Sequence, residues 1–483
     1  MRSNLVIVYH REPYEEVVVD GEIEYRENSS PNGIVPTLKS FFGRFEKGAW
    51  IAWKEAEDTA NPGFERVIDI DDSFGTYTVS RLSSFYHVSS KEAFWPILHG
   101  FKERYNYDPV DWPTFREVNW AFAEAAAAEA APGAVVWVHD YNLWLVPGYL
   151  RTLRPDVRLS FFHHTPFPGA DIFNVLPWRK EILQSLLCCD VIGFHIPRYV
   201  NNFVSAARSL LEVDTMARKK VAPEMHGETS ALSEQSVVTE IMYENRTVHL
   251  QASPVGVDVA YIQEVAAREE TREKLHEIQS ELKDSQLILS VGRTDYTKGG
   301  IEQLQCYERL LQARPDLRGK VRLMHVSVAA NRNMTVYEEI QCDLESLAGR
   351  INGQYGTLEW QPIALISRAV PFTSLVAYYL AADVAWITPL ADGMNLVCKE
   401  FCATRTDEDG VLVLSEFAGA AVELPASVPT NPFSHKSMDS AIQFALDMPK
   451  EERRSRMIAN RKMVQKQDIL FWSEDQMQAF IKD

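Results

Sequence analysis

Short runs of β-branched and aliphatic residues recur along this chain, each followed by a stretch of helical periodicity. That alternation restricts the fold more than any other feature. The strand-like runs cover residues 5–9, 135–138, 159–162, 191–194, 287–291, 321–328, 384–388 and 411–414. Amphipathic stretches at 115–130, 178–187, 199–211, 301–313 and 335–351 lie between them. Strands separated by helices line up in parallel, with helices covering both faces of the sheet. The expected class is therefore α/β. At 483 residues the chain exceeds what one hydrophobic core usually supports, so two domains are expected. SPVGVD (253–258) reads as a hinge, which gives an N-terminal domain over 1–255 and a C-terminal one over 256–454. The helical segment from about 455 to 483 carries Phe471, Trp472 and Phe480. A free helix would rarely expose so much aromatic surface, so it is expected to pack back on the first domain. Only 214–249 breaks the rhythm; polar and rich in Ser and Glu, it reads as a mobile excursion or as a hairpin.

Composition narrows the function classes. Hydrophobic content of 46% with 11% aromatics describes a packed globular protein. The formal net charge of −18 counts against nucleic acid or an anionic membrane as a partner. An anionic substrate would have to be met by a local cationic pocket. The cysteines at 188, 189, 306, 342, 398 and 402 show no CxxC spacing and read as reduced, buried thiols. The amino end lacks a long apolar region and no 18-residue apolar run occurs, so a cytoplasmic location is expected.

Two segments about a hundred residues apart carry the chemistry. VGRTDYTKGG (291–300) sets Arg293 and Lys298 where a strand gives way to a helix. Free N–H groups and the helix dipole favour negative charge there, so two cations complete an anion site. DGMNLVCKE (392–400) follows the strand at 384–388 and opens another helix. The amides of Met394, Asn395 and Leu396 then form a phosphate cradle, and Glu400 can accept hydroxyl protons. The plainer alternative is a solvated Glu400 with Lys399 as surface charge. Together the segments suggest a diphosphate attached to a hydroxyl-rich group, as in a nucleotide sugar. VWVHDYNLWLVP (136–147) ends a strand at His139 and Asp140, with helix capping as a competing role for the acid. FFHHTPFP (161–168) ends another at His163 and His164. Neighbours on an extended chain point to opposite faces, so the pair is a poor metal site; His164 fits a sugar contact better. DIDDS (69–73) resembles a metal motif but reads as an acidic turn, and FAEAAAAEAA (122–131) is a strong helix former.

The segments HDYNLWLVP, FFHHTPFP, LPWRKEIL, DVIGFH, RTDYTKG, AGRINGQYG, DGMNLVCKE and GVLVLSEFAGAA resemble the trehalose-6-phosphate synthase family of retaining glycosyltransferases over nearly the whole chain. The resemblance implies the GT-B fold: two Rossmann-like domains with parallel sheets facing a central cleft, and no metal or other cofactor beyond the donor substrate. LVIVYHREPYEE (5–16) and SPNGIVPTLKSFFGRFEKGAWIAWK (30–54) are similar to the subgroup that makes glucosylglycerol phosphate. Where trehalose enzymes usually carry S-N-R, G-G-L and a second His in HDYHL, this chain has Tyr9-His10-Arg11, Asn32-Gly33-Ile34 and Asn142.

The resemblance implies transfer of glucose from ADP-glucose to sn-glycerol 3-phosphate, giving 2-O-(α-D-glucosyl)-glycerol 3-phosphate, a compatible-solute precursor. Arg293 and Lys298 would hold the donor diphosphate. Asp392, Gly393, Met394, Asn395 and Leu396 would meet glucose and phosphates, Glu400 the ribose, and His164 the donor glucose. Asn32 and Gly33 would line a loop closing over the phosphates. Arg11, Tyr86, Trp95 and Asp140 would form the acceptor side. The family's further acceptor-phosphate arginine precedes a tyrosine by six residues, whereas Arg332 precedes Tyr337 by five, so either Arg332 or Asn331 takes that place. The near alternative is a trehalose-6-phosphate synthase accepting glucose 6-phosphate. A non-catalytic sugar-phosphate sensor is the other, opposed by the joint presence of Asp140, His164, Arg293, Lys298 and Glu400. The expected partners are small-molecule substrates and a separate phosphatase downstream, with no nucleic acid and no membrane. A homo-oligomer is left open.

Overall fold

The computed structural model describes residues 2–19, 22–27, 38, 41, 47–54, 64–71, 74–80, 84–227, 230–329 and 335–481. Its contacts divide the chain into two compact units. The first holds Met1–Val221, Glu234–Ser253 and Ser473–Asp483, and the second Ala222–Ser233 and Pro254–Trp472. The chain therefore passes between units at 221/222, 233/234, 253/254 and 472/473, where the sequence suggested 255/256 and about 455.

In the first unit the strands are β1 (Ser3–Val8), β4 (Gly48–Lys54), β5 (Phe64–Asp71), β6 (Phe74–Ser80), β7 (Ala130–His139), β8 (Arg158–His163), β9 (Val191–Phe194), β10 (Asp214–Lys220), β11 (Ser236–Tyr243) and β12 (Arg246–Ala252). A separate antiparallel ribbon joins β2 (Tyr14–Val19) to β3 (Glu22–Glu27). The sheet order is β10-β11-β12-β9-β8-β7-β1-β4-β6-β5. Pairing is parallel from β12 through to β6, and antiparallel strands close both edges. Within the stretch 214–249, β10, β11 and the start of β12 thus form an antiparallel extension of the sheet, while 222–233 belong to the second unit. The β11–β12 turn holds Glu244 and Asn245 at φ 48° and 60°, as a tight hairpin matching the sheet twist requires. DIDDS ends β5 and runs past the described residues at 72–73. From β1 the chain steps outward through β4 and β6, then returns to lay β7 on the other side of β1. The order reverses there, so the carboxyl ends of β1 and β7 flank a crevice.

The second unit is simpler. Strands β13 (Gln286–Thr294), β14 (Val321–Ala329), β15 (Ile363–Ile366), β16 (Val384–Ile387), β17 (Val411–Ser415) and β18 (Val428–Thr430) are all parallel, in the order β15-β14-β13-β16-β17-β18. That is the doubly wound dinucleotide-binding order, reversing between β13 and β16. The α/β class read from the alternation holds in both units. Below the reversal, buried Gln303 accepts from Ser290 Oγ of β13 at 2.7 Å and donates to the Trp386 carbonyl of β16 at 2.7 Å.

Several side chains depart from expectation. The helix expected from 115 starts at Trp112, because Asp111 accepts from the Thr114 amide and caps it. Cys342 is exposed and Cys188 partly so, whereas the other four cysteines are buried; all six are free. In the C-terminal helix Ile469–Ile481, Trp472 and Phe480 are buried, and Phe480 packs edge-on to Trp137 of β7 at 5.0 Å. Phe471 lies on the opposite face and stays half exposed, so only two of the three aromatics are buried. Among the described residues no helix is long and apolar enough to cross a membrane.

The hinge segment is held by backbone contact. The Ile469 amide bonds the Val257 carbonyl at 3.1 Å. A Cβ at Gly256 would lie 2.2 Å from the Asp468 carbonyl carbon and 2.4 Å from the Gln467 oxygen, and backbone cannot step aside as a flexible side chain could. Gly256→Ala is therefore expected to lower the unfolding free energy by about 1–3 kcal/mol. Equal urea midpoints for variant and parent would refute this.

Candidate active site

In the second unit, both motifs emerge at the strand-order reversal. Arg293 is the penultimate residue of β13 and is partly buried. Asp295 turns the chain by accepting from the Thr297 amide and hydroxyl, both at 2.9 Å, and Gly299 follows at φ 70° before the helix Gly300–Ala313. Gly299 is required by more than its φ: a Cβ would sit 2.3 Å from the Thr388 carbonyl beyond β16. The Leu390 amide also bonds the Thr297 carbonyl at 2.7 Å, so the two loops lie against each other. The Lys298 stem folds back over Gly292, and Nζ reaches Asp392 Oδ2 at 2.6 Å. Asn395 donates to the same oxygen at 3.0 Å and caps the helix Leu396–Thr404 by accepting from the Cys398 amide at 3.1 Å. It does so at φ 76°, a strained backbone for a residue with a side chain. The Gly393 and Met394 stretch is braced from behind: Gly419 and Ala420 amides bond the Asp392 and Met394 carbonyls at 3.1 and 2.8 Å. Leu396 opens the helix, where first-turn amides have no helical carbonyl to bond and are open to an anion.

One turn further in, Glu400 is buried, with Oε2 accepting from Tyr379 Oη at 2.8 Å. Burial pushes its carboxyl up to about 7, although the tyrosine bond pulls the other way. Lys399 is not surface charge. It is fully buried, 2.7 Å from buried Glu423 Oε2, and donates to the Val255 carbonyl at 2.8 Å, tying the helix Leu396–Thr404 to the hinge segment.

In the first unit the corresponding reversal lies between β1 and β7. Arg11 follows β1, its carbonyl held by Trp50 Nε1 at 2.9 Å. Its guanidinium bonds the Tyr86 hydroxyl and is kept firmly cationic, chiefly by Tyr9. Tyr86 stacks on His10 and Trp53, with centroids 5.8 and 5.5 Å away. Lys91 Nζ lies 4.0 Å over the Trp95 ring and 5.6 Å from that of Tyr86. Asp140 follows β7 at φ 70°, ψ 164°, a region nearly confined to glycine. Its side chain makes no capping bond of the kind that starts a helix, which removes the capping reading. The carboxylate accepts from the His164 amide at 3.3 Å. Burial pushes it up to about 6, against the opposing pull of Lys91 and Arg11.

His164 and His139 are hydrogen-bonded, Nε2 to Nδ1 at 3.0 Å. Burial holds both well below the usual imidazole range, so both are neutral. His139 Nε2 is buried with no partner. An orphaned N–H costs more than an orphaned lone pair, so the His139 proton belongs on Nδ1, donating to His164. His164 then carries its own proton on Nδ1 and is a donor there. His163 faces away into the core and bonds the Thr165 carbonyl at 3.0 Å.

The matching family model is Glycosyltransferase family 20, over residues 3–482. A glucosylglycerol-phosphate synthase from Synechocystis sp. is 47% identical over 480 residues, 98% of this chain and 96% of that protein. A trehalose-6-phosphate synthase from Mycolicibacterium gilvum is 37% identical over 486 residues, 99% and 93% of the two. The crystal structure of a UDP-forming α,α-trehalose-phosphate synthase from Burkholderia xenovorans with glucose 6-phosphate superimposes with a TM-score of 0.85 at 27% identity, covering 99% of this chain and 100% of that one. The chain belongs to glycosyltransferase family 20. It is a glucosyltransferase of GT-B fold.

For this family 20 enzyme, the structure gathers Arg11, Tyr86, Trp95, Asp140 and His164 in the first unit, and Arg293, Lys298, Asp392, Gly393, Met394, Asn395, Leu396 and Glu400 in the second. Asn32, Gly33, Asn331 and Arg332 lie outside the described residues. Three participants escaped the sequence reading. Lys91 stands four residues before Trp95, a helical spacing that could have disclosed it. His139 was passed over for its neighbour Asp140. Tyr379 lies in an apolar helix with no local signal; only the fold brings it to Glu400.

A buried carboxyl raised from 4.5 to about 7 favours the folded state while protonated. That contribution is full below pH 4.5 and is lost as pH rises through 7. Glu400→Gln keeps the acceptor for Tyr379 without the charge. The variant should gain on the parent as pH rises, reaching on the order of 2–3 kcal/mol by about pH 8, while losing donor affinity. Urea unfolding at both ends of that range tests this; parallel stability curves would count against it.

Proposed function

We propose that the enzyme transfers glucose from ADP-glucose to sn-glycerol 3-phosphate with retention at the anomeric carbon, giving glucosylglycerol 3-phosphate and ADP. The observation that carries the donor half is the strand-order reversal of the second unit. It places two cations, a capped helix start and a buried carboxylate together, which suits a diphosphate, a nucleotide's phosphates and a ribose in sequence. ADP-glucose is the donor that the resemblance implies. The acceptor rests on the 47% identity to a glucosylglycerol-phosphate synthase, against 37% to the trehalose enzyme, and on the aromatic, doubly cationic cluster around Asp140.

A double displacement requires a carboxylate directly beneath the anomeric carbon. The reading instead has the acceptor hydroxyl attack on the face from which the diphosphate departs. The bond from anomeric carbon to phosphate oxygen breaks, the bond to the acceptor oxygen forms, and the acceptor proton passes to the departing phosphate. The protein contributes position and charge. Lys298 gives one of its three N–H donors to Asp392, leaving two for the leaving group. Asp140, ionised above about pH 6, accepts from the acceptor hydroxyl and aims it. His164 offers Nδ1–H to the glucose. The product keeps its phosphate, so a separate phosphatase would have to remove it.

Incubating the purified protein with ADP-glucose and either glycerol 3-phosphate or glucose 6-phosphate, then identifying the product, tests the reading. Exclusive formation of trehalose 6-phosphate would replace it with the trehalose assignment, and binding without nucleotide release would replace it with a sensor. Arg293→Ala and Lys298→Ala should each lose about 2–4 kcal/mol of transition-state stabilisation in kcat/KM, the scale of one lost oxyanion donor. Rates within tenfold of the parent would remove these residues from the leaving-group site. Arg11→Ala should raise the KM for the acceptor far more than that for the donor, and an equal rise in both would place Arg11 elsewhere.

A further inference from the structure

We infer that Lys399 is a positioning residue for the donor: it sets how the helix Leu396–Thr404 is turned about its axis, and so aims Glu400. This rests on the reading of Glu400 as the group that meets the ribose. The start of the helix is held without Lys399. Gly419 and Ala420 amides bond the Asp392 and Met394 carbonyls, and Asn395 caps the first turn. Those contacts fix the chain where it enters the helix, but they do not set the rotation of the turns beyond. Lys399 and Glu400 supply the two points that do. As neighbours on a helix they point about 100° apart. Lys399 reaches Glu423 in one direction, and Glu400 accepts from Tyr379 Oη in the other. Glu423 follows directly on Gly419–Val422, the segment whose amides hold the turn at 392–394. One short segment thus grips the helix start through its backbone and the next turn through a side chain.

Packing alone does not call for an ion pair here. Both side chains are only 2% exposed, and apolar residues of similar volume in place of such a pair are often neutral or stabilising. What the pair adds is direction. The ammonium is drawn to two oxygens on separate segments, Glu423 Oε2 at 2.7 Å and the Val255 carbonyl at 2.8 Å. The second is itself fixed, since the neighbouring Gly256 lies against the Asp468 backbone. Among the described residues no other group donates to Glu423 Oε2, so a lysine that moved away would leave a buried carboxylate alone. An apolar side chain carries no such penalty and packs in several neighbouring settings. Glu400 is the residue that needs one setting. Its Oε2 already accepts from Tyr379, which leaves Oε1 to take a ribose hydroxyl. A contact made by one atom depends closely on where its helix stands.

The test compares the full-length parent with Lys399→Met, with Lys399→Met combined with Glu423→Met, with Glu400→Gln, and with all three substitutions together. ADP affinity by calorimetry, kcat, both KM values and melting temperature are measured, each below the variant's own melting transition. Lys399→Met alone should melt lower than the parent, because it strands a buried carboxylate, and the double variant should recover most of that loss. Its ADP Kd and donor KM should nevertheless rise about tenfold, the scale of a hydrogen bond to a charged group. The acceptor KM and kcat should stay within about threefold, since a ribose contact is shared by ground and transition states. In the Glu400→Gln background the same pair of substitutions should change the ADP Kd by less than about twofold, because residues that act through one group are not additive. A parent-like ADP Kd in the double variant would overturn the inference, leaving Lys399 a packing residue. So would a full tenfold loss in both backgrounds, since Lys399 would then act on something other than Glu400. An unchanged ADP Kd in Glu400→Gln alone would instead overturn the donor reading on which the inference stands.

Discussion

A parallel strand pair needs a crossover, because the second strand must start at the end where the first began. Each crossover returns across one face of the sheet, and where the direction of winding reverses, two neighbouring crossovers leave on opposite faces. The strand ends between them are then left uncovered. In the second unit that place lies between β13 and β16, and in the first between β1 and β7. Residues 94 apart in sequence meet there as Lys298 and Asp392, and Arg11 comes within electrostatic reach of Asp140 in the same way. The sheet core guarantees these meetings. Gln303, bridging β13 and β16 just below the reversal, keeps the two strand ends from sliding apart.

What stands at these places is locally unfavourable. Asp140 and Asn395 hold backbone conformations that cost of order 1–3 kcal/mol each, while the Asp140 carboxylate accepts from the His164 amide and the Asn395 side chain caps a helix. Glu400 is held as a carboxyl that would rather be protonated. Lys399 and Glu423 are an ion pair removed from water, which stabilises little relative to apolar packing but is costly to break. Such features persist because the surrounding backbone leaves no alternative. Gly299 against Thr388 and Gly419 against Gly393 are approaches that no larger residue permits. The glycines therefore do more than relax a turn. They let two loops touch, and the touching loops define where the charges stand.

This separation explains what the sequence disclosed. Alternating strand and helix patterns reveal the α/β class and the parallel sheets, since hydrophobic period is a local property. Motifs at strand ends are equally local, so RTDYTK and DGMNLVCKE pointed to a nucleotide-sugar site directly. The burial of Lys399 was not legible because its one-letter context is that of any charged helix residue; only Glu423 and the Val255 carbonyl make it a buried cation. Phe471 was expected inside along with Trp472, yet neighbours on a helix point about 100° apart and cannot share one buried face. The stretch 214–249 gave no clear period because β10, the strand at the sheet edge, is mostly exposed and β11 and β12 are only partly buried. Strand β4, GAWIAWK, follows a segment with no strand-like alternation and was not separated from it, although its fully buried Trp50 holds the Arg11 carbonyl.

Both cation sets carry a carboxylate of their own, Asp392 with Lys298 and Asp140 between Arg11 and Lys91. In a chain of net charge −18 this looks redundant, since the overall field already opposes an anion. At physiological salt, however, that field fades over about 8 Å, so contact charges decide binding. A partly buried cation without a partner would lose solvation and fold onto whatever oxygen it could find. The carboxylate prevents this by keeping it ionised and aimed. A singly charged anion gains little by competing with a carboxylate of equal charge for the same donor. A phosphate dianion, with twice the charge and three oxygens, displaces or shares that contact favourably. An internal carboxylate beside a cation therefore favours a phosphate dianion over a singly charged anion as a competitor for that cation.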